Sequence, residues 1–351
     1  MREYLLFRVV VTLALACVAA QACVWLRTPI PWMIGPMVAT ALASVAGAPT
    51  RSWNPLRNLG QWVIGAALGL YFTPEVGRLV VSLGWAILAG VVWALALGWC
   101  FGRVLHAWHA PHMPGLQRST TYFSGAIGGA SEMTLLAERE GARTDLVASA
   151  HSLRVLIVTL TIPFAVQWSG QTGLELTPPG PRLVDGLGLL GLGGLTAVCI
   201  TVMMALKRAN PWFMGALLGA MVLTLSGQSW SAIPLWLSNA AQLCIGVSLG
   251  VRFTPEFVRS GPRWLVSVGL GTLLMMGLCA AFAWGLAQAT GLRMVTLVLG
   301  TSPGGIAEMA ITAKVLQLGV PVVTAFQVCR LVAVLLLVEP LYRVTSARPV
   351  A

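Results

Sequence analysis

Apolar stretches long enough to cross a bilayer follow one another through nearly all of this 351-residue chain, which dictates how it can fold. A membrane-spanning helix needs about 20 apolar residues. Inside hydrocarbon every main-chain N–H and C=O must be bonded within the protein, so such runs become helices. On that measure helices are predicted near 5–26, 31–48, 57–72, 79–105, 119–137 and 145–168, then near 183–206, 211–226, 234–253, 264–290, 294–318 and 320–344. Composition agrees: 57% of residues are hydrophobic and 9% charged, where soluble domains carry about a quarter. The fold class expected is an all-α polytopic membrane protein of about ten to twelve helices.

The second half of the chain repeats landmarks of the first. Pro31-Trp32-Met33-Ile34-Gly35 returns as Pro211-Trp212-Phe213-Met214-Gly215, and Asn58, Gln61, Gly65 and Gly69 return as Asn239, Gln242, Gly246 and Gly250. Phe72-Thr73-Pro74-Glu75 is matched by Phe253-Thr254-Pro255-Glu256. Two tandem repeats are expected, at residues 1–168 and 183–351, joined by a polar Pro/Gly-rich linker at 169–182. The N-terminal run has a counterpart after residue 182 and is read as part of the repeat, not as a cleaved signal peptide.

Basic residues sit singly between the apolar runs, so the net charge of +11 reads as a topology signal and forms no nucleic-acid patch. Their bias reverses between halves. In the first, Arg2, Arg8, Arg51, Arg57, Arg103 and Arg118 outnumber Arg27, Arg78, Arg139 and Arg143 across the bilayer; in the second the preferred side changes. Units with an odd number of crossings, related by inversion, would remove that conflict, and inverted repeats are common in secondary transporters.

Gly128 to Met133 reads GGASEM and Gly304 to Met309 reads GGIAEM, and each Glu is followed 22 residues later by an Arg. Glu132 with Arg154 and Glu308 with Arg330 are nearly the only charges inside these apolar stretches. A carboxylate at such depth costs about 2.5 to 3.5 kcal/mol on insertion scales and marks an ion, proton or substrate path. Gly128, Gly129, Gly304 and Gly305, with Pro303, interrupt a helix, so each segment is expected to be two half-helices whose ends suit ions and carboxylates. Ser124, Ser131, Thr301 and Ser302 bring hydroxyls to the same place. The plainer reading is that Gly-Gly only permits tight packing, as expected at Gly65/Gly69, Gly246/Gly250 and Gly215/Gly219, and that each Glu merely pairs with its Arg. Arg154 and Arg330 could instead clamp an anionic substrate or snorkel. Asn58, Gln61, Asn239 and Gln242 extend the polar lining or glue helices together.

His106, His109 and His112, with Met113, are read mainly as an interfacial loop, a metal site being the alternative; His151 reads as a polar packing or cavity group. The seven Cys lack metal or disulfide spacing.

The paired Pro-Trp-x-x-Gly, Thr-Pro-Glu and GG-x-[SA]-E-M segments, each set followed by Arg, resemble the membrane AbrB family over essentially the whole chain. Members carry labels such as ammonia monooxygenase or regulator of gene expression, and the family looks similar to inverted-repeat antiporters and anion transporters. It is distinct from the small soluble DNA-binding protein of that name. Taken together, the expectation is a non-enzymatic inner-membrane secondary transporter of a small, anionic solute coupled to H+ or Na+, with no cofactor and no metal. A membrane regulator acting indirectly is the alternative, and a metal monooxygenase the third. Expected partners are the substrate or ion and the bilayer, with a homodimer admissible and no direct nucleic acid.

Overall fold

A computed structural model of the chain describes residues 2–170, 183–255, 257 and 261–346. The predicted linker lies outside the described residues at 171–182, as does Glu256. Among the described residues the chain is all α, with no strand. The helices are α1 (Arg2–Trp25), α2 (Pro31–Val45), α3 (Asn54–Gly69), α4 (Pro74–Ser82), α5 (Gly84–His109), α6 (Arg118–Gly125), α7 (Ala130–Arg139) and α8 (Thr144–Trp168). They continue as α9 (Gly186–Ala205), α10 (Pro211–Leu225), α11 (Leu235–Gly250), α12 (Pro262–Thr290), α13 (Met294–Thr301), α14 (Ile306–Val315) and α15 (Val320–Ser346).

Six of them, α1, α5, α8, α9, α12 and α15, are long and apolar enough to span a membrane. Their outer faces confirm the solvent they need. Leu6, Phe7 and Val10 on α1, Leu187 and Leu190 on α9, and Leu270 and Leu274 on α12 are more than half exposed, large apolar side chains bared on helix after helix as a water-soluble monomer does not carry them. Trp25 and Trp168, at the ends of spans, are exposed where aromatic rings suit the lipid–water boundary. The helix count exceeds the sequence expectation because two predicted segments are divided and one short helix is added. The segment 119–137 divides into α6 and α7, and 294–318 into α13 and α14, while between the predicted helices at 57–72 and 79–105 the chain forms α4, bent by 88° from α3.

The chain forms two compact units, each drawing on both sequence halves. One comprises Met1–Ser82, Pro163–Pro255 and Ala310–Pro321; the other comprises Leu83–Ile162, Glu256–Met309 and Val322–Ala351. In the first unit α2 packs on α1 and α11, and α10 on α9 and α3. Glycines make these approaches possible. A Cβ on Gly65 would meet the Phe213 carbonyl and the Ala216 side chain, and one on Gly246 would meet the Met33 carbonyl and Pro36. Gly215 lies on the backbone of Ile200, as Gly35 lies on that of Ala19 and Ala20. Small-residue packing is therefore what the plain glycine patterns do.

Backbone exceptions recur along with these contacts. Ile30 and Asn210, which precede α2 and α10, both have φ of 47°. Asn tolerates that left-handed conformation readily, whereas for Ile it costs about 1–2 kcal/mol. Arg27 and Lys207 likewise share φ of 51°.

Candidate functional site

The second unit holds both interrupted segments. After α6 the chain runs through Ala126, Ile127, Gly128 and Gly129 before α7 begins, and Ala126 turns the backbone to ψ 138°. After α13 it runs through Ser302, Pro303, Gly304 and Gly305, and Ser302 has ψ 147°. A helix that ends in the protein interior leaves its last carbonyls without helical partners. Something must bond them.

In both places that partner is a pair of side chains three residues apart on the next long helix, a spacing that puts them on one face. From α8, Arg154 donates through Nη1 to the Ala126 carbonyl at 2.7 Å and through Nη2 to the Ser124 carbonyl, and His151 Nε2 lies 2.9 Å from the Phe123 carbonyl. From α15, Arg330 donates through Nη1 to the Ser302 carbonyl and through Nη2 to the Gly304 carbonyl and Gln327 Oε1. Gln327 Nε2 donates to the Leu299 carbonyl at 2.7 Å. Residues separated by 176 positions thus perform matching tasks: Phe123 and Leu299, Ala126 and Ser302, His151 and Gln327, Arg154 and Arg330. Both guanidinium groups are almost fully buried, and Arg154 also lies over the Phe101 ring at 5.9 Å.

The carboxylates serve the opposite helix ends. Gly129 is the N-cap of α7, and Glu132 three residues on reaches back over it, so a Cβ on Gly129 would collide with Glu132 Oε2. Glu308 lies against Gly305 in the same way at the start of α14. A Glu at this position uses the capping-box geometry and meets the positive end of the helix dipole. The Nη1 and Nη2 groups of both Arg are given to main-chain carbonyls, where the simple reading from the sequence had each Glu merely pair with its Arg. At each interruption the Arg attends the negative end of one half-helix and the Glu the positive end of the next.

The remaining predicted residues divide. Ser124, Thr301 and Ser302 are buried beside the interruptions, but each hydroxyl donates to the carbonyl four residues back, at Thr120, Leu297 and Val298. Ser131 is exposed on α7. Gly128 packs on Met133, and Gly304 on Met309 and Val158. Asn58 and Gln61 on α3, and Asn239 and Gln242 on α11, belong to the first unit, where α3 packs on α11. The His run is half helix and half loop: His106 and His109 close α5, with His109 edge-on to Trp264 at 5.2 Å, and His112 follows in the turn. Gln327 was missed by sequence reasoning, and its 176-residue match to His151 was the available signal.

A family model described as "Transition state regulatory protein AbrB" matches residues 32–346. The chain belongs to the AbrB family. It is 28% identical to "Uncharacterized protein YhjN" of Bacillus subtilis (strain 168), over 90% of this chain and 87% of that protein. It is 25% identical to "Putative regulator AbrB" of Escherichia coli (strain K12), over 88% of each.

The paired carboxylate geometry has a direct consequence. Gly129 has φ −68° and ψ 139°, which any residue adopts, and the atom opposing a new methyl is the free end of a flexible side chain. Gly129→Ala and Gly305→Ala are therefore expected to stay folded, losing about 1 kcal/mol as an N-cap change, while displacing Glu132 and Glu308. Peptide mapping after carbodiimide treatment should then show severalfold faster modification of the displaced Glu.

Proposed function

We propose that this AbrB-family protein is a secondary transporter of a small anionic solute, coupled to H+ or Na+, in the bacterial inner membrane. The main support is that two interrupted helices in one compact unit each carry a buried Arg at one half-helix end and a Glu at the other. Interrupted backbone at membrane depth is tolerated where protein or a water-filled cavity satisfies it, and half-helix ends there bind ions and carboxylates. Arg154 and Arg330, both buried in the same unit, supply the positive charge suited to an anion. Glu132 and Glu308, each folded back over the glycine that starts its half-helix, are the proposed coupling groups. The recurrence of contacts at separations of 180 and 176 residues supports two units related by duplication, with inversion as the proposed arrangement.

Proteoliposomes under an imposed pH or sodium gradient, screened with small organic anions, test this. Glu132→Gln and Glu308→Gln are expected to lower gradient-driven uptake by about tenfold or more, equivalent to ~1.4 kcal/mol, without changing the melting profile. Unaltered uptake in both variants would remove the proposed roles. The name of the Escherichia coli relative supports a second reading, a membrane-embedded regulator acting through a partner protein. That reading predicts no flux under any gradient and a cytoplasmic protein that co-purifies at a fixed ratio.

A further inference from the structure

A cleft of about 160 Å³ opens in the second unit where α5 ends, α6 begins and α15 ends. Arg103 and His106 come from α5, Arg118 and Tyr122 from α6, and Tyr342 and Thr345 from α15. Three basic groups face the cleft and its lining contains no carboxylate. Glu339 on α15 and Glu140 at the end of α7 are both paired with Arg343, which is not among the residues lining the cleft. Arg103 is steadied over the Trp99 ring at 5.0 Å. Arg103 and Arg118 both lie close enough to His106 to act on its charge, and His106 Nδ1 is buried without a hydrogen-bond partner among the described residues. Like charges converging without a counter-ion repel, and the N-terminus of α6 adds the positive end of a helix dipole. The cleft is thus a preformed cationic cradle with aromatic walls.

Its depth is set by the spans that bound it. α5 and α15 cross as Gly84–His109 and Val320–Thr345, and His106 and Thr345 stand at their last turns, level with the membrane surface. The feature is also one-sided: 176 residues after Arg118, Thr121 and Tyr122 stand Met294, Leu297 and Val298, which cannot hold an anion. It therefore does not share in the paired arrangement around Glu132 and Glu308, and nothing in it depends on the transport reading.

We propose that this cleft binds a phosphate group at the membrane surface, with Arg103 and Arg118 donating as forks, His106 as a third contact, and Tyr122 and Tyr342 packing against what the phosphate carries. Two sources share that chemistry, the headgroup of an anionic phospholipid and a soluble phosphate or phosphate ester.

The full-length protein in neutral detergent, melted while titrated with dioleoyl phosphatidylglycerol, dioleoyl phosphatidylcholine, inorganic phosphate or glycerol 3-phosphate, tests the proposal and separates the sources. Saturable stabilisation by phosphatidylglycerol alone identifies a lipid headgroup; equal stabilisation by the soluble phosphates identifies a free one. In the double variant Arg103→Gln, Arg118→Gln the half-saturating concentration is expected to rise about 25-fold, fivefold per guanidinium. Thr345→Glu, which adds a carboxylate to the same wall and leaves both Arg in place, should also weaken binding. Arg51→Gln, an exposed Arg of the other unit, should leave it unchanged. Failure of every anionic probe to stabilise the natural protein, or an unshifted midpoint in the double variant, overturns the proposal.

Discussion

Arg330→Met is expected to lower the stability of the purified protein by about 2–5 kcal/mol, read as an earlier melting transition in detergent. Two opposing effects decide the sign. Removing a buried guanidinium recovers its desolvation cost, several kcal/mol per ion. It also abolishes the bonds to the Ser302 and Gly304 carbonyls and to Gln327, each about 1.5–3 kcal/mol when the donor is charged. It then strips the Gly304 carbonyl of its guanidinium partner and leaves the Ser302 carbonyl only the 3.3 Å bond from Gln327 Nε2. That loss of support at buried carbonyls tips the balance toward lower stability. Arg330→Lys keeps the charge but offers a single ammonium in place of a two-pronged fork, and can serve one carbonyl well. It should therefore fall between the natural protein and Arg330→Met. If Met proves more stable than Lys, charge burial outweighs carbonyl capping and the account of this Arg is wrong. Arg154→Met should behave like Arg330→Met, since it strips Ser124 and Ala126 of the same support.

That geometry shows what local sequence can and cannot convey. The interruptions at Gly128-Gly129 and Pro303-Gly304-Gly305 were legible because removing side-chain cover and a main-chain donor has a local effect on helix stability. The destination of the Arg was not. A separation of 22 residues from Glu to Arg says only that both lie in neighbouring apolar segments. Whether the guanidinium meets the carboxylate or the carbonyls depends on which half-helix end lies opposite the next helix. The hydroxyls of Ser124, Thr301 and Ser302 lie beside the interruptions, and each gives its donor to the carbonyl a turn earlier, as a Ser or Thr inside an apolar helix does. Gln327 drew no notice in the sequence, and its contacts with Leu299 and Arg330 are what assign it a place beside the interruption.

The amides show a different limit. Asn58, Gln61, Asn239 and Gln242 recur as faithfully as the Glu and Arg, yet they lie in the other compact unit. Hydrophobic periodicity places them on helices and is silent about which helices those pack against. Here packing exchanges partners between sequence halves, α3 with α10 and α2 with α11. Each compact unit is consequently assembled from both halves.

Gly250→Val is expected to be among the most disruptive single changes in the first unit, because its neighbours there include backbone. A Cβ on Gly250 would run into the Thr40 hydroxyl and stand 2.5 Å from the Met37 carbonyl oxygen and 3.0 Å from the Ala41 nitrogen; the hydroxyl could turn, but the two backbone atoms cannot. α2 and α11 would have to separate, losing dispersion contacts along both faces and exposing the Met37 and Ala41 region, which is buried. Overpacking alone costs about 1–3 kcal/mol, and prising two helices apart adds to it, since membrane helices associate through close packing of small residues. Gly69→Val should act alike on α3 and α10, where the Cβ would come within 2.7 Å of the Ala220 side chain. Gly277→Ala is the matched control: α12 offers nothing within 4 Å of that Cβ, so relief of glycine's backbone entropy should stabilise by about 0.5–1 kcal/mol. Melting curves of the three variants should separate in that order. A Gly250→Val protein that melts with the natural one would mean that the two helices are held by something other than their close approach.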